Sequence, residues 1–148
     1  MIIVKTPSQY NINYVFFNEK VDNKIIGGAE FSRVIYSNHE LTFHGAYVSI
    51  DLVGTKYTSF ENKNCISYDA SNVHNKKIIC LFKQLEIDIL NKFDCSILKR
   101  YKLRDYLSNG ILKLITDSSP THYKIILKIS GVWSTSQCCG LTFKLIYI

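Results

Sequence analysis

The chain has 148 residues, 47% of them hydrophobic and 20% charged, with only 2 Pro and 7 Gly. That is a single globular domain's worth, which excludes wholesale disorder, collagen-like sequence and linker sequence. Net charge is +6 with a pI near 9.0, and no apolar run reaches the roughly 18–20 residues that cross a bilayer.

Lys5 interrupts the apolar start Met1-Ile2-Ile3-Val4, which argues against a secretory signal. The first half then reads as strands. Ile12 to Phe17 is β-branched and aromatic, and Lys24-Ile25-Ile26 runs into a bend at Gly27-Gly28. Phe31 to Tyr36 is a strand closed by the turn Ser37-Asn38-His39-Glu40. Leu41 to His44 and Ala46 to Leu52 both alternate, with Gly45 as a bulge that would keep one long, curved strand going. A short strand is expected near Cys65 to Tyr68.

Between Lys76 and Phe93 the apolar residues 78, 79, 81, 82, 85, 89, 90 and 93 form a helical stripe. Asn72 or Asn75 is its candidate cap, and Asp88 with Lys92 an i,i+4 pair on its outer face. Residues 98–107 fit either state. As a strand they align Arg100, Lys102, Arg104 and Tyr106; as a helix they scatter the charges. Asn109-Gly110 signals a turn into a strand at Ile111 to Ile115. His122 to Ser130 alternates and continues through Trp133, Ser134 to Cys139 is a polar loop, and Gly140 to Ile148 is the returning strand. The chain thus reads as one domain over 1–148: strands to about 70, a helix over about 76–93, and basic strands with a final hairpin over about 98–148. The expected fold is mainly β, a small curved barrel of the OB type with one amphipathic helix inserted before the last strands. A β-sandwich is the rival.

Charge is unevenly spread. Residues 1–75 carry six basic and seven acidic side chains, and residues 76–148 carry twelve and five. A basic half suggests an anionic partner, with nucleic acid ahead of a membrane surface. Lys outnumbers Arg fifteen to three, and Ile, Asn, Tyr and Phe abound. These residues share AT-rich codons, which points to an AT-rich genome such as that of many viruses and parasites. Five cysteines (65, 80, 95, 138, 139) lack any C-x-x-C spacing, and no glycosylation sequon occurs. Both features fit reduced thiols in a cytoplasmic or nuclear compartment.

Signals for catalysis are weak. No P-loop, G-x-S-x-G, H-E-x-x-H or deaminase signature is present. His39 with His44 makes at most two metal ligands, and Cys138 with His122 is a nucleophile pair without a local signature. Asp51, Asp69, Asp105 and Asp117 lack D-x-D or D-x-N spacing. No catalytic residue, cofactor or metal is expected. Aromatics interleaved with basic residues are the stronger signal, because single strands are held by cations on phosphates and by ring faces on bases. Lys99, Arg100, Lys102, Arg104, Lys124, Lys128 and Lys144 are the candidate phosphate contacts. Tyr101, Tyr106, Tyr123 and Trp133 are the candidate stacking platforms.

The final segment, Lys128-Ile-Ser-Gly-Val-Trp-Ser-Thr-Ser-Gln-Cys-Cys-Gly-Leu-Thr-Phe-Lys-Leu-Ile-Tyr-Ile148, resembles the last hairpin of OB-fold single-stranded-DNA-binding proteins of phages and large DNA viruses. In those, an apolar strand ends near an aromatic, a short polar loop follows, and a Gly-apolar-Ser/Thr-apolar-basic-apolar strand returns. Gly140-Leu141-Thr142-Phe143-Lys144-Leu145 has that pattern, and Phe31 to Ser37 followed by Gly45 to Ile50 is similar to the same proteins. The resemblance implies a replication or recombination accessory protein that coats exposed single-stranded DNA, or RNA, with little sequence preference. It allows for a homo-oligomer and implies no membrane partner. Many relatives of that kind end in an acidic recruitment tail. This sequence has no acidic residue after Asp117, so tail-mediated recruitment is not carried over. The alternative is a viral structural or host-interaction protein with a β-sandwich fold.

Overall fold

A computed structural model describes residues 3–22, 25, 27–94, 96–114 and 124–148. In chain order its strands begin with β1 (Val15–Phe17), β2 (Val21–Asp22), β3 (Glu30–Ser37), β4 (Thr42–His44), β5 (Ala46–Ile50), β6 (Lys56–Phe60) and β7 (Lys63–Ser67). Helix α1 (Val73–Phe93) follows, then β8 (Leu98–Arg100), α2 (Lys102–Ser108), β9 (Ile111–Leu114), β10 (Ile125–Ser134) and β11 (Cys138–Tyr147). The fold is mainly β, with a curled half-barrel sheet and the long helix inserted before the last strands, as the patterning predicts.

Strand β10 is the spine of the larger sheet. One edge pairs with β11 along its whole length. The other edge is shared: Gly131 to Ser134 pair with β3, and Ile125 to Ile129 pair with β5. Strand β4 pairs with the far half of β3. All these pairings are antiparallel. Strand β3 divides between partners: Glu30 to Arg33 lie on β10, and Val34 to Ser37 lie on β1 and β4. Gly45 joins β4 to β5, which takes up the edge of β10 where β3 leaves it, so the stretch expected as one long curved strand is two strands with different partners. That junction demands a glycine. Gly45 has φ +94°, its N–H donates to the Val34 carbonyl at 2.8 Å, and a β-carbon there would meet the Ile129 carbonyl oxygen at 2.9 Å.

Strands β6, β7 and β9 form a second, antiparallel sheet of three. The β6–β7 turn places Glu61 at φ 48° and Asn62 at φ 61°, a two-residue hairpin loop in the left-handed region. Of β6 and β7 the sequence predicts only β7, because Glu-Asn is a weak turn signal beside Asn-Gly. The start of the chain differs too. Residues Ile12–Tyr14 form a single 3-10 turn instead of a strand, because the Asn11 side chain accepts the Asn13 N–H at 3.0 Å.

Helix α1 begins three residues before the expected Lys76. Asn72 caps it by accepting the N–H groups of His74 and Asn75. Asn75 is buried, and its amide binds the Val53 N–H, the Val53 carbonyl and the Asp69 carbonyl. The expected Asp88–Lys92 pair gives way to other partners: Asp88 accepts from Gln84, and Lys92 donates to the Ile12 carbonyl. Residues 98–107 split between the two possibilities, a three-residue strand and then a second helix that the sequence leaves open. Glu86 of α1 decides it. Its buried carboxylate accepts the N–H groups of Leu103 at 3.0 Å and Arg104 at 2.9 Å, satisfying the first turn of α2. One core unites both sheets and both helices, with Phe82, Ile89 and Leu90 from α1, Leu103 and Leu107 from α2, Ile66 and Leu112 from the small sheet, and Leu127, Ile129 and Val132 from β10.

Candidate nucleic-acid interface

Alternation along β10 divides its side chains between two faces. Ile125, Leu127, Ile129 and Val132 enter the core. Lys124, Ile126, Lys128, Gly131 and Trp133 therefore leave on the outer face, and a bulge between Ile129 and Gly131 keeps the two sets in phase. Register carries this face across the neighbouring strands. Tyr47, Lys128 and Lys144 form one row, Arg33, Gly131 and Thr142 the next, and Phe31, Trp133, Gly140 and Arg100 the third. None of these residues is acidic. The acidic residue at this end of β3, Glu30, stands one position beyond the third row, in register with Ser134, and pairs with Lys20 at 3.8 Å.

Two glycines shape the third row. A β-carbon on Gly140 would stand 2.7 Å from the Trp133 indole, and one on Gly131 would stand 2.5 Å from the Phe31 ring. Each ring thus leans across bare backbone, which gives the sheet a tiled aromatic surface. Cations sit against the rings. Lys102 Nζ lies 5.7 Å from the Trp133 ring centroid, and Lys128 Nζ lies 5.5 Å from that of Tyr47. Lys128 is also in register with Lys144. Like charges so placed repel, and an anion bound between them removes the repulsion.

The sequence-predicted candidates thus fall into groups. Arg100, Lys124, Lys128, Lys144 and Trp133 share the outer face, and Lys102 reaches it from α2. Tyr101 and Arg104 lie together at the first turn of α2, with the guanidinium carbon 5.2 Å from the ring centroid. Lys99 is in register with the buried Cys139 and leaves on the opposite face from Trp133. Tyr106 is half-buried with its ring 6.3 Å from that of Phe143, and its hydroxyl accepts the Lys113 N–H at 3.0 Å. Those contacts give it a packing role. Tyr123 and His122 lie outside the described residues. The expected polar loop over 134–139 shrinks to Thr135–Gln137, because Cys138 and Cys139 belong to β11.

Sequence reasoning missed Phe31, Arg33 and Tyr47, which lie in the half of the chain without excess positive charge. Their alternation in Phe31-Ser-Arg-Val and Ala46-Tyr-Val is visible, but only the pairing of β3 and β5 with β10 places them beside Trp133 and Lys128. Among the described residues, no three His, Cys, Asp or Glu side chains gather as metal ligands would. No helix among them is long and apolar enough to cross a membrane. The chain matches no protein-family model, and no curated protein or solved structure shows significant similarity to it. The likeness to viral single-stranded-DNA-binding proteins therefore rests on the residue pattern alone.

Proposed function

We propose that this protein binds single-stranded nucleic acid, without catalysis, on the outer face of the sheet built around β10. The observation that carries the reading is the row Phe31–Trp133–Gly140–Arg100, where rings lie across glycine backbone and cations flank them with no carboxylate in the row. Bases would stack on Trp133 and Phe31, each worth about 1–3 kcal/mol with little dependence on base identity. Arg33, Arg100, Lys102, Lys124, Lys128 and Lys144 would neutralise phosphates and release counterions. In the free protein Lys102 lies against the Trp133 ring; on binding it exchanges that contact for a phosphate. The role that follows is that of a coat for exposed DNA, or RNA, during replication or recombination in a virus or similar genome.

Trp133 is the sole tryptophan, so its fluorescence reports directly on the site. Oligo-dT is expected to quench it, with an affinity that falls steeply as salt rises, and a matched duplex is expected to bind weakly. Absence of quenching at low salt, together with no change in polarisation of labelled oligo-dT or oligo-U, would refute the proposal. The second reading, a structural or host-interaction protein, draws on the exposed apolar residues Val73 and Leu81 on α1. A large, salt-independent assembly on a sizing column after nuclease treatment would favour it.

A further inference from the structure

The face built on β10 is not the only cationic surface. A groove of about 410 Å³ runs between α1 and α2, lined by Ala70, Ser71, Lys76, Ile79, Cys80, Lys83, Arg104 and Ser108. Three cations from two helices converge there beside Ser108 and Ser71, whose hydroxyl donates to Asp69 at 2.6 Å, and no carboxylate lines it among the described residues. Lys76 and Lys83 are seven residues apart on α1, two helical turns, so both project from one side of it. Arg104 faces them from α2. Its backbone is fixed by Glu86, its guanidinium packs on Tyr101, and its inner Nε donates to Asp105 at 3.3 Å.

The groove and the sheet face meet at the first turn of α2. Lys102 leans one way, onto Trp133, and Arg104 the other way, onto Tyr101 and into the groove. We infer that the groove is a second phosphate-binding stretch for the same single strand, entered by backbone that has passed Trp133, Arg100 and Lys102. This rests on the proposed function and adds a path and a length to it. The strand stacks its bases on the sheet and then runs its phosphates between the helices along Arg104, Lys83 and Lys76. Among the described residues the groove walls offer Ile79, Ala70 and Cys80 but no aromatic ring, so this stretch holds backbone and leaves bases unstacked.

The inference predicts a dependence on strand length that the sheet alone would not give. The test compares the protein with its Lys76→Ala/Lys83→Ala variant on labelled oligo-dT of about four and about sixteen nucleotides, the span of single-domain site sizes. Both lysines are exposed, and thermal unfolding of the variant serves as the folding control. The short strand is expected to bind both proteins alike. The long strand is expected to bind the variant several-fold more weakly, with a log–log salt slope smaller by about 1.4, the value for two lost phosphate contacts on a single strand. Restoring charge with Lys76→Arg/Lys83→Arg should restore the slope. Equal affinity of the two proteins for the long strand, or equal loss on both lengths, overturns the inference while leaving the sheet face standing. Failure of the unaltered protein to bind either length removes the proposed function and the groove's part in it together.

Discussion

Individual side chains in this protein are placed by partners far away in sequence, and two of them make sharp predictions. Glu86 is buried on α1, yet its carboxylate serves α2 by accepting two N–H groups there. Burial raises its carboxyl above the ordinary value of 4.5, while the two N–H donors pull it back down. With the folded state holding the proton more tightly than the unfolded chain, Glu86 contributes stability that is full below pH 4.5 and is lost as pH rises through the raised folded value. Denaturant midpoints measured across that window should therefore fall with pH in the parent, relative to Glu86→Gln, which lacks the titration. A flat difference between the two curves would contradict the assignment. Glu86→Ala removes the acceptor altogether and should cost about 1–3 kcal/mol for each orphaned donor. Trp133→Ala is expected to weaken oligo-dT binding by about 1–3 kcal/mol with little change in thermal stability, since the ring lies on the outer face. Gly140→Val separates ring position from ring identity. It keeps the indole but lifts it from the backbone it covers, and should weaken binding comparably.

At the scale of elements, periodicity identified what local sequence decides and missed what tertiary contacts decide. The helix over Val73–Phe93 was legible because its apolar residues from Ile78 to Phe93 form an unbroken helical stripe with an asparagine cap before it. Helix α2 was not, because Lys-Leu-Arg-Asp-Tyr-Leu alternates as well as it coils, and Glu86, from another helix, settles the choice. The β6–β7 hairpin was half-visible for a different reason: its turn uses residues that tolerate positive φ poorly or moderately. Replacing Glu61-Asn62 by Asn-Gly should relieve that strain and stabilise the protein by about 0.5–2 kcal/mol, read as a higher melting temperature. A drop would mean that Glu61 makes a contact worth more than its backbone strain. On the small sheet's edge, both backbone groups of Lys113 are occupied by tyrosine hydroxyls: Tyr106 accepts its N–H, and Tyr147 donates to its carbonyl. An edge so closed resists pairing with another chain, which is why Tyr106 belongs to architecture.

For the whole molecule, the fold class was readable and the proposed site was readable in part. The basic second half identified Arg100, Lys124, Lys128 and Lys144, but the face they share is completed by Phe31, Arg33 and Tyr47 from the first half. Only long-range pairing brings the two halves together, and no local pattern encodes it. Replacing Arg100 and Lys102 by Ala should lower the salt slope of oligo-dT binding by about 1.4; an unchanged slope would remove both residues from the phosphate track. The position of β10 has a further consequence, for assembly in time. Strands β3 and β5 end at Ser37 and Ile50, but the strand that joins them starts at Ile125. During synthesis their unpaired edges must wait for most of the chain to emerge, with apolar side chains such as Val34, Val48 and Ile50 uncovered. Such non-local topology folds slowly, so the nascent protein is a natural client for holding chaperones, and refolding in vitro should lose material to aggregation as concentration rises.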